Sequence, residues 1–173
     1  DQLGQCSPGR YAFVTSEAYD GNIGGLEGAH QKCQSLADKA GLSGTYKAWL
    51  SAGGEGPAQT FDKFAGPYVV RAGGELPYAF IIAANWADLV DVNKTLSNAI
   101  HIQEDGKNTP HSNTWTATQA DGTADDSDCA GWTDNGPDEE AMTGLIPTGE
   151  NLWTYSLGFS KCFVKHPLYC FEQ

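Results

Sequence analysis

Between Leu26 and Ala40 the residues Ala29, Cys33, Leu36, Ala37 and Ala40 recur at spacings of three and four, which puts them on one stripe of a helix. Lys32, Gln34, Ser35, Asp38 and Lys39 take the other side. Glu27 in the first turn and Lys39 in the last suit the helix dipole, and Gly41 follows where a left-handed cap is wanted. The pattern predicts a core helix over about 26–40, then a turn at Gly44 and a strand over 45–50. A helix face this small lets a neighbour pack close. A cysteine in that buried stripe implies that the neighbour is tied on covalently.

The remaining chain consists of short apolar runs between turns. Tyr11 to Thr15 alternates as a strand, with Tyr11 and Phe13 on one face and Ala12 and Val14 on the other. Tyr68-Val69-Val70 and Phe80-Ile81-Ile82 read as central strands joined by a turn at Ala72-Gly73-Gly74. Further strands are expected at Ile100 to Ile102 and Thr114 to Thr116. Asn151 to Tyr155, Cys162 to Val164 and Tyr169 to Phe171 are expected to close the sheet. Trp86 to Leu89 reads as a short helical turn, Ala52 to Pro57 as an exposed loop, and Ala120 to Gly149 as a long acidic loop region. The 21 glycines and 8 prolines suit a loop-rich α+β fold of short strands. A length of 173 residues fits one domain with a core of its own. No internal repeat or linker divides it.

Five cysteines without C-x-x-C spacing do not resemble a zinc or redox site, so disulfides and an oxidising compartment are expected. The net charge of -12 opposes nucleic acid and anionic membrane as partners through long-range repulsion. No apolar run is long enough to span a bilayer, so direct membrane insertion is not expected. A start at Asp1 without a charged-then-apolar leader reads as a mature or trimmed product.

The run Gly25, Gly28, Ala29, Cys33, then Gly41-Leu42-x-Gly44-Thr45 and Ala48-x-Leu50-Ser51, resembles the endostatin module at the end of certain animal collagens. The likeness is greatest to a bacterial branch found on secreted and lipid-anchored surface proteins, mostly of unassigned function. It continues through Trp86-x-x-Leu89, Asp105-Gly106-Lys107, Trp115-Thr116, Cys129-x-x-Trp132, Cys162 and Tyr169-Cys170. The resemblance implies a C-type-lectin-like (endostatin-like) domain over 11–173 after an N-terminal extension over 1–10. Such a domain has a mixed twisted sheet, the core helix and long disulfide-pinned loops. It also implies the pairs Cys33–Cys170 and Cys129–Cys162, with Cys6 left unpaired. Heparin binding does not carry over, because only Arg10 and Arg71 are present in place of clustered arginines. Zinc does not carry over either, because the first ten residues hold no histidine.

In the acidic loop, Asp121, Asp125, Asp126, Asp128, Asp134, Asp138, Glu139 and Glu140 fall close together, and Asn135 adds an amide oxygen. Calcium needs six to eight hard oxygens. Asp125, Asp126, Asp128 and Asp134 are therefore the candidate calcium ligands, against the plainer reading of a solvated loop whose carboxylates keep the protein soluble. Among the tryptophans, Trp49, Trp86, Trp115 and Trp153 are expected in the core. Trp132, amid polar neighbours, is expected to be exposed and to bind ligand with Asp134, Asn135, Asp138 and Glu139. The four histidines show no metal-ligand spacing, and His30 reads as plain surface.

No nucleophile elbow, His-Glu-x-x-His or phosphate-binding loop is present, and no enzymatic activity is expected. The expected function is an extracellular or cell-surface recognition and adhesion module that binds a glycan or a surface protein. If the source is bacterial, the location is secreted, periplasmic or outer-membrane associated. The alternative is a structural or assembly module, fibre-tip and oligomer-forming. A polysaccharide-acting enzyme ranks third.

Overall fold

The computed structural model describes residues 9–73 and 78–173, so Cys6 and Gly74 lie outside the described residues. In chain order the elements are β1 (Arg10–Val14), α1 (Gly25–Lys39), β2 (Tyr46–Ala48), α2 (Pro57–Thr60), β3 (Tyr68–Ala72), β4 (Tyr78–Ala83), α3 (Trp86–Leu89), β5 (Asn113–Trp115), α4 (Cys129–Trp132), β6 (Glu140–Leu145), β7 (Gly158–Lys161) and β8 (Tyr169–Glu172). They form a mixed α+β domain with two sheets.

The larger sheet has the order β2-β8-β1-β3-β4. β1 and β3 are parallel, and the other pairs are antiparallel. Alternation along β1 divides the core in two, because successive side chains point to opposite faces. Ala12 and Val14 join Tyr68, Val70, Tyr169 and Phe171 on one face, under Trp49, Trp86 and Trp153. Phe13 joins Tyr46, Ala48 and Cys170 on the other, where α1 lays down Ala29, Cys33, Leu36 and Ala37. The helix thus forms where the spacing predicts it, and the Cys33–Cys170 disulfide ties it to β8. Gly28 is required at its start, since a Cβ there would lie 2.3 Å from the Ile23 carbonyl oxygen.

The second sheet, β5-β6-β7, corrects the expectation of one sheet and of a long loop region over 120–149. Its central strand β6 lies inside that acidic stretch, pairing Thr114 with Gly144 on one side and Met142 with Phe159 on the other. The Cys129–Cys162 disulfide fastens the segment before it to the end of β7. Three further expectations are corrected. β4 is an edge strand, with Tyr78 61%, Phe80 44% and Ile81 50% exposed. Asn151–Trp153 is a 3-10 turn, not a strand, and Cys162 to Val164 follows β7 as a turn. Ile100 and Ile102 are buried, but only an isolated bridge from Ile102 to Asn108 replaces the expected strand.

Candidate functional site

The acidic loop folds around its own backbone. Asp128 caps α4, its Oδ1 accepting from the Gly131 N–H at 2.8 Å and its Oδ2 from the Gly53 N–H at 3.1 Å. Asp125 accepts from the Ser127 N–H at 3.0 Å and from the Gln119 amide at 2.9 Å. Asp134 accepts from the Gly136 N–H, and the Asn135 amide donates to Asp20 at 3.3 Å. Asp126, Asp138 and Glu139 are exposed. Among the described residues no group of three or more His, Cys, Asp or Glu side chains could hold a metal ion. The expected convergence of Asp125, Asp126, Asp128 and Asp134 on calcium is therefore corrected: three of these carboxylates serve as local turn acceptors.

Trp132 is also corrected. It has no exposed surface; its indole N–H donates to the Ser51 carbonyl at 2.7 Å, and its ring lies 5.5 Å from that of Trp115. Its polar sequence neighbours stay outside because the backbone reverses its hand here: φ is 52° at Cys129, 53° at Ala130, 67° at Gly131 and 63° at Trp132. His30, expected at the surface, is half-buried, and its Nδ1 accepts from the Ala48 N–H at 3.1 Å. Burial and the nearby Lys47 charge lower its pKa.

The structure brings different residues together where β1 and β3 part. The two strands are partners only at Arg10 with Tyr68 and Tyr11 with Val69. Beyond that, the Val14 N–H turns to the Ile102 carbonyl at 2.9 Å and the Gly73 N–H to the Gly106 carbonyl at 2.8 Å, so the turn at Gln103 to Gly106 wedges between the strand ends. Gly106 must be glycine: its φ is 82°, and a Cβ would lie 2.4 Å from the Gly73 backbone. The wedge, the end of α1 at Ala40 and Leu42, and the sheet enclose a cleft of about 380 Å³. It opens at the carboxyl ends of two parallel strands, where open sheets commonly take ligands.

Its polar lining divides into committed and uncommitted groups. The Glu104 carboxylate accepts from the Ser16 N–H at 2.9 Å and from the Ser16 hydroxyl. The Asp105 carboxylate pairs with Lys107, which holds its carboxyl below the usual range. Arg71 makes no ion pair among the described residues; its guanidinium lies 5.8 Å from the centre of the Tyr11 ring. Gln103 is only 9% exposed as a residue; its backbone N–H donates to the Lys107 carbonyl at 2.8 Å and its carbonyl accepts from the Gly106 N–H at 2.9 Å. Outside this lining, the buried Tyr46 hydroxyl has no partner among the described residues. Burial raises its pKa, with Glu172 and Tyr11 adding and Arg71 opposing, so it remains a neutral donor.

Sequence reasoning passed over Gln103, Tyr11 and Arg71 as the lining of a cleft. The one available signal was Asp105-Gly106-Lys107, which marks a tight turn but not the strands it separates. No protein-family model matches the chain, and no curated protein sequence matches it.

Proposed function

We propose that the protein is an extracellular recognition module of C-type-lectin-like, endostatin-like fold, which binds a glycan or a cell-surface protein without turning it over. The reading is supported by the order of motifs from Gly25 to Cys170 and by a core helix tied to the last strand. Two disulfides fit an oxidising, extracellular location. No helix of the described residues is long and apolar enough to cross a membrane. The observation that carries the reading is the cleft between β1 and β3, where the Arg71 guanidinium, without an ion pair among the described residues, stands beside the Tyr11 ring. Pockets of this kind orient a ligand through a few placed polar groups on an apolar surround. A glycan array combined with pull-downs from cell-surface extracts is the test. Reproducible capture on either supports the reading, and two blanks from folded protein would sink it.

A second reading, an assembly module, is favoured by the exposed apolar side chains on two edge strands and the turns beside them. Tyr78, Phe80 and Ile81 lie on β4; Leu157, Phe159 and Phe163 lie on and beside β7. Exposed edges of this character invite pairing with another chain. Light scattering under reducing and non-reducing conditions decides it: a concentration-dependent oligomer supports assembly, and a monomer under both conditions removes it.

A further inference from the structure

We infer that Asn93 is a modification site: the acceptor of an N-linked oligosaccharide, transferred from a lipid-pyrophosphate donor in the oxidising compartment where the disulfides form. The site is remote in kind from the cleft and shares with the recognition reading only the extracellular location.

Asn93-Lys94-Thr95 is the one Asn-x-Ser/Thr triplet of the sequence; the other seven asparagines have no hydroxyl residue two positions on. Such a triplet takes a glycan where the chain enters a secretory compartment and the asparagine stands on a surface loop. The two disulfides fit the first condition. The fold meets the second, because residues 92–95 belong to no helix or strand and all four are exposed.

The loop is fastened at both ends and open between them. The Asn151 amide donates to the Val92 carbonyl, and the Leu96 N–H donates to the Gly149 carbonyl at 2.6 Å. Leu96 is buried, so the exposed residues before it are held out from a fixed point. Asp91 closes the turn, its carbonyl accepting from the Lys94 N–H at 3.0 Å and its Oδ1 from the Asn93 N–H at 3.0 Å. Lys94, between the two residues of the motif, is held by an ion pair to Asp88 of α3 at 2.6 Å. The Asn93 amide has a contact of 3.5 Å to Asp91 Oδ1, at the outer limit of a hydrogen bond, so bonding a sugar to it gives up almost nothing that holds the fold.

In the transfer, the Asn93 amide nitrogen bonds to the anomeric carbon of the donor. The bond from that carbon to the pyrophosphate oxygen breaks, the lipid pyrophosphate leaves with the electron pair, and one amide proton passes to a base of the membrane-bound transferase. The Thr95 hydroxyl is the element the transferase recognises. Asp91, two residues before Asn93, adds the carboxylate that bacterial transferases of this class also require, so the stretch from Asp91 to Thr95 suits eukaryotic and bacterial machinery alike.

The experiment secretes the whole chain from a eukaryotic host, and exports it to a bacterial periplasm supplied with a lipid-linked oligosaccharide and its transferase. Intact mass and the mass of the peptide holding Asn93 are then read. Expected is one glycan per chain, on Asn93, whose enzymatic release from the eukaryotic product converts Asn93 to aspartate. Asn93→Gln and Thr95→Ala should lose the glycan, Thr95→Ser should keep it, and Asp91→Ala should lose it in the bacterial host alone. Asn93→Gln and Thr95→Ala lie at exposed positions and should unfold at the parent's thermal midpoint, which separates loss of the acceptor from loss of the fold. Modification of Asn93 in either host supports the site. A secreted, disulfide-bonded chain of unmodified mass from both hosts would overturn it, as would a glycan that persists in Asn93→Gln. Glycan-array and pull-down capture is read on the Asn93→Gln chain as well, so that failure of the acceptor site leaves the recognition reading standing.

Discussion

The Trp132 indole N–H and the Ser51 carbonyl meet at 2.7 Å inside the core beneath α1, joining the acidic segment to the loop that follows β2. Two forces hold the segment at this point: burial of a large ring, and a hydrogen bond whose acceptor has lost its water. They are separable by substitution. Trp132→Ala should destabilise the fold by about 3–5 kcal/mol through the cavity and the lost transfer energy. Trp132→Phe keeps much of the burial but orphans the Ser51 oxygen, and should cost about 1–3 kcal/mol. Urea unfolding followed by far-UV dichroism measures both. Equal, near-zero losses would contradict the buried position.

The two disulfides should differ in what their removal costs. Cys33 and Cys170 are 137 residues apart in the chain, and Cys129 and Cys162 are 33 apart. Loop-closure entropy then assigns about 5 kcal/mol to the first and about 3.7 kcal/mol to the second. The first also fixes α1 to β8, so Cys33→Ala with Cys170→Ala should lower the thermal midpoint more than the matching pair at 129 and 162. Calorimetry of the two double variants checks the order.

The parts of the fold legible in the sequence were those set by local periodicity. The stripe at Ala29, Cys33, Leu36 and Ala37 needed only a helical repeat, and the division of Phe13 from Ala12 and Val14 needed only a strand repeat. Phe80-Ile81-Ile82 was legible as a strand but not as an edge, because an apolar run looks the same whether the sheet continues beyond it or stops. β6 escaped because Glu140-Ala-Met-Thr-Gly-Leu145 has few β-branched residues and lies among acids; pairing on both sides makes it a strand. Trp132 was misjudged from its polar neighbours, when a reversed backbone hand decides which way it points. The cleft depends on β1, β3 and a turn some ninety residues after β1, a juxtaposition no local pattern encodes.

Acid should weaken the fold through histidines held neutral. Burial, aided by His111, brings the His166 pKa down to about 4; the ring stands edge-on to Trp115 at 4.5 Å and shares a 2.8 Å hydrogen bond with Ser160. His30 is lowered as well. The unfolded chain, with its histidines near 6.5, binds more protons than the native state between pH 6.5 and 4. Stability is therefore full above about pH 6.5 and falls as pH drops toward 4. After allowance for partial solvent exposure, His166 should account for about 2 kcal/mol of that fall. Thermal midpoints measured across this range for the parent and for His166→Gln test it: the variant should show the shallower slope.

Calcium should not stabilise the protein. A cation that binds only the native state raises the midpoint with concentration, but Asp125, Asp128 and Asp134 spend oxygens on their own backbone or neighbouring amides and Asp126 is exposed. Thermal unfolding in millimolar calcium and in chelator should agree within about 1 °C. A calcium-dependent rise would return the acidic segment to consideration as a cation site.

The left-handed turn at Cys129 to Trp132 offers the sharpest test of how that segment is held. A non-glycine residue in this conformation is strained by roughly 1–2 kcal/mol because its Cβ crowds the following carbonyl. Gly131, with φ of 67°, escapes that cost, whereas Ala130, with φ of 53° and ψ of 50°, does not. Cys129 and Trp132 cannot be relieved, since one is needed for the disulfide and the other fills the core. Ala130 is exposed, so its side chain holds little in place. Ala130→Gly should therefore stabilise the protein by about 0.5–1 kcal/mol, the relief of strain being partly offset by the freer unfolded chain. Gly131→Ala should destabilise it by a similar amount or more, although a Cβ there meets nothing within 4 Å. A preference for glycine at both neighbouring positions cannot come from helix propensity, which would favour alanine at both. Urea unfolding of the two variants beside the parent therefore reads the handedness of this turn directly. If alanine is preferred at both positions, the turn is right-handed and the burial of Trp132 needs another cause.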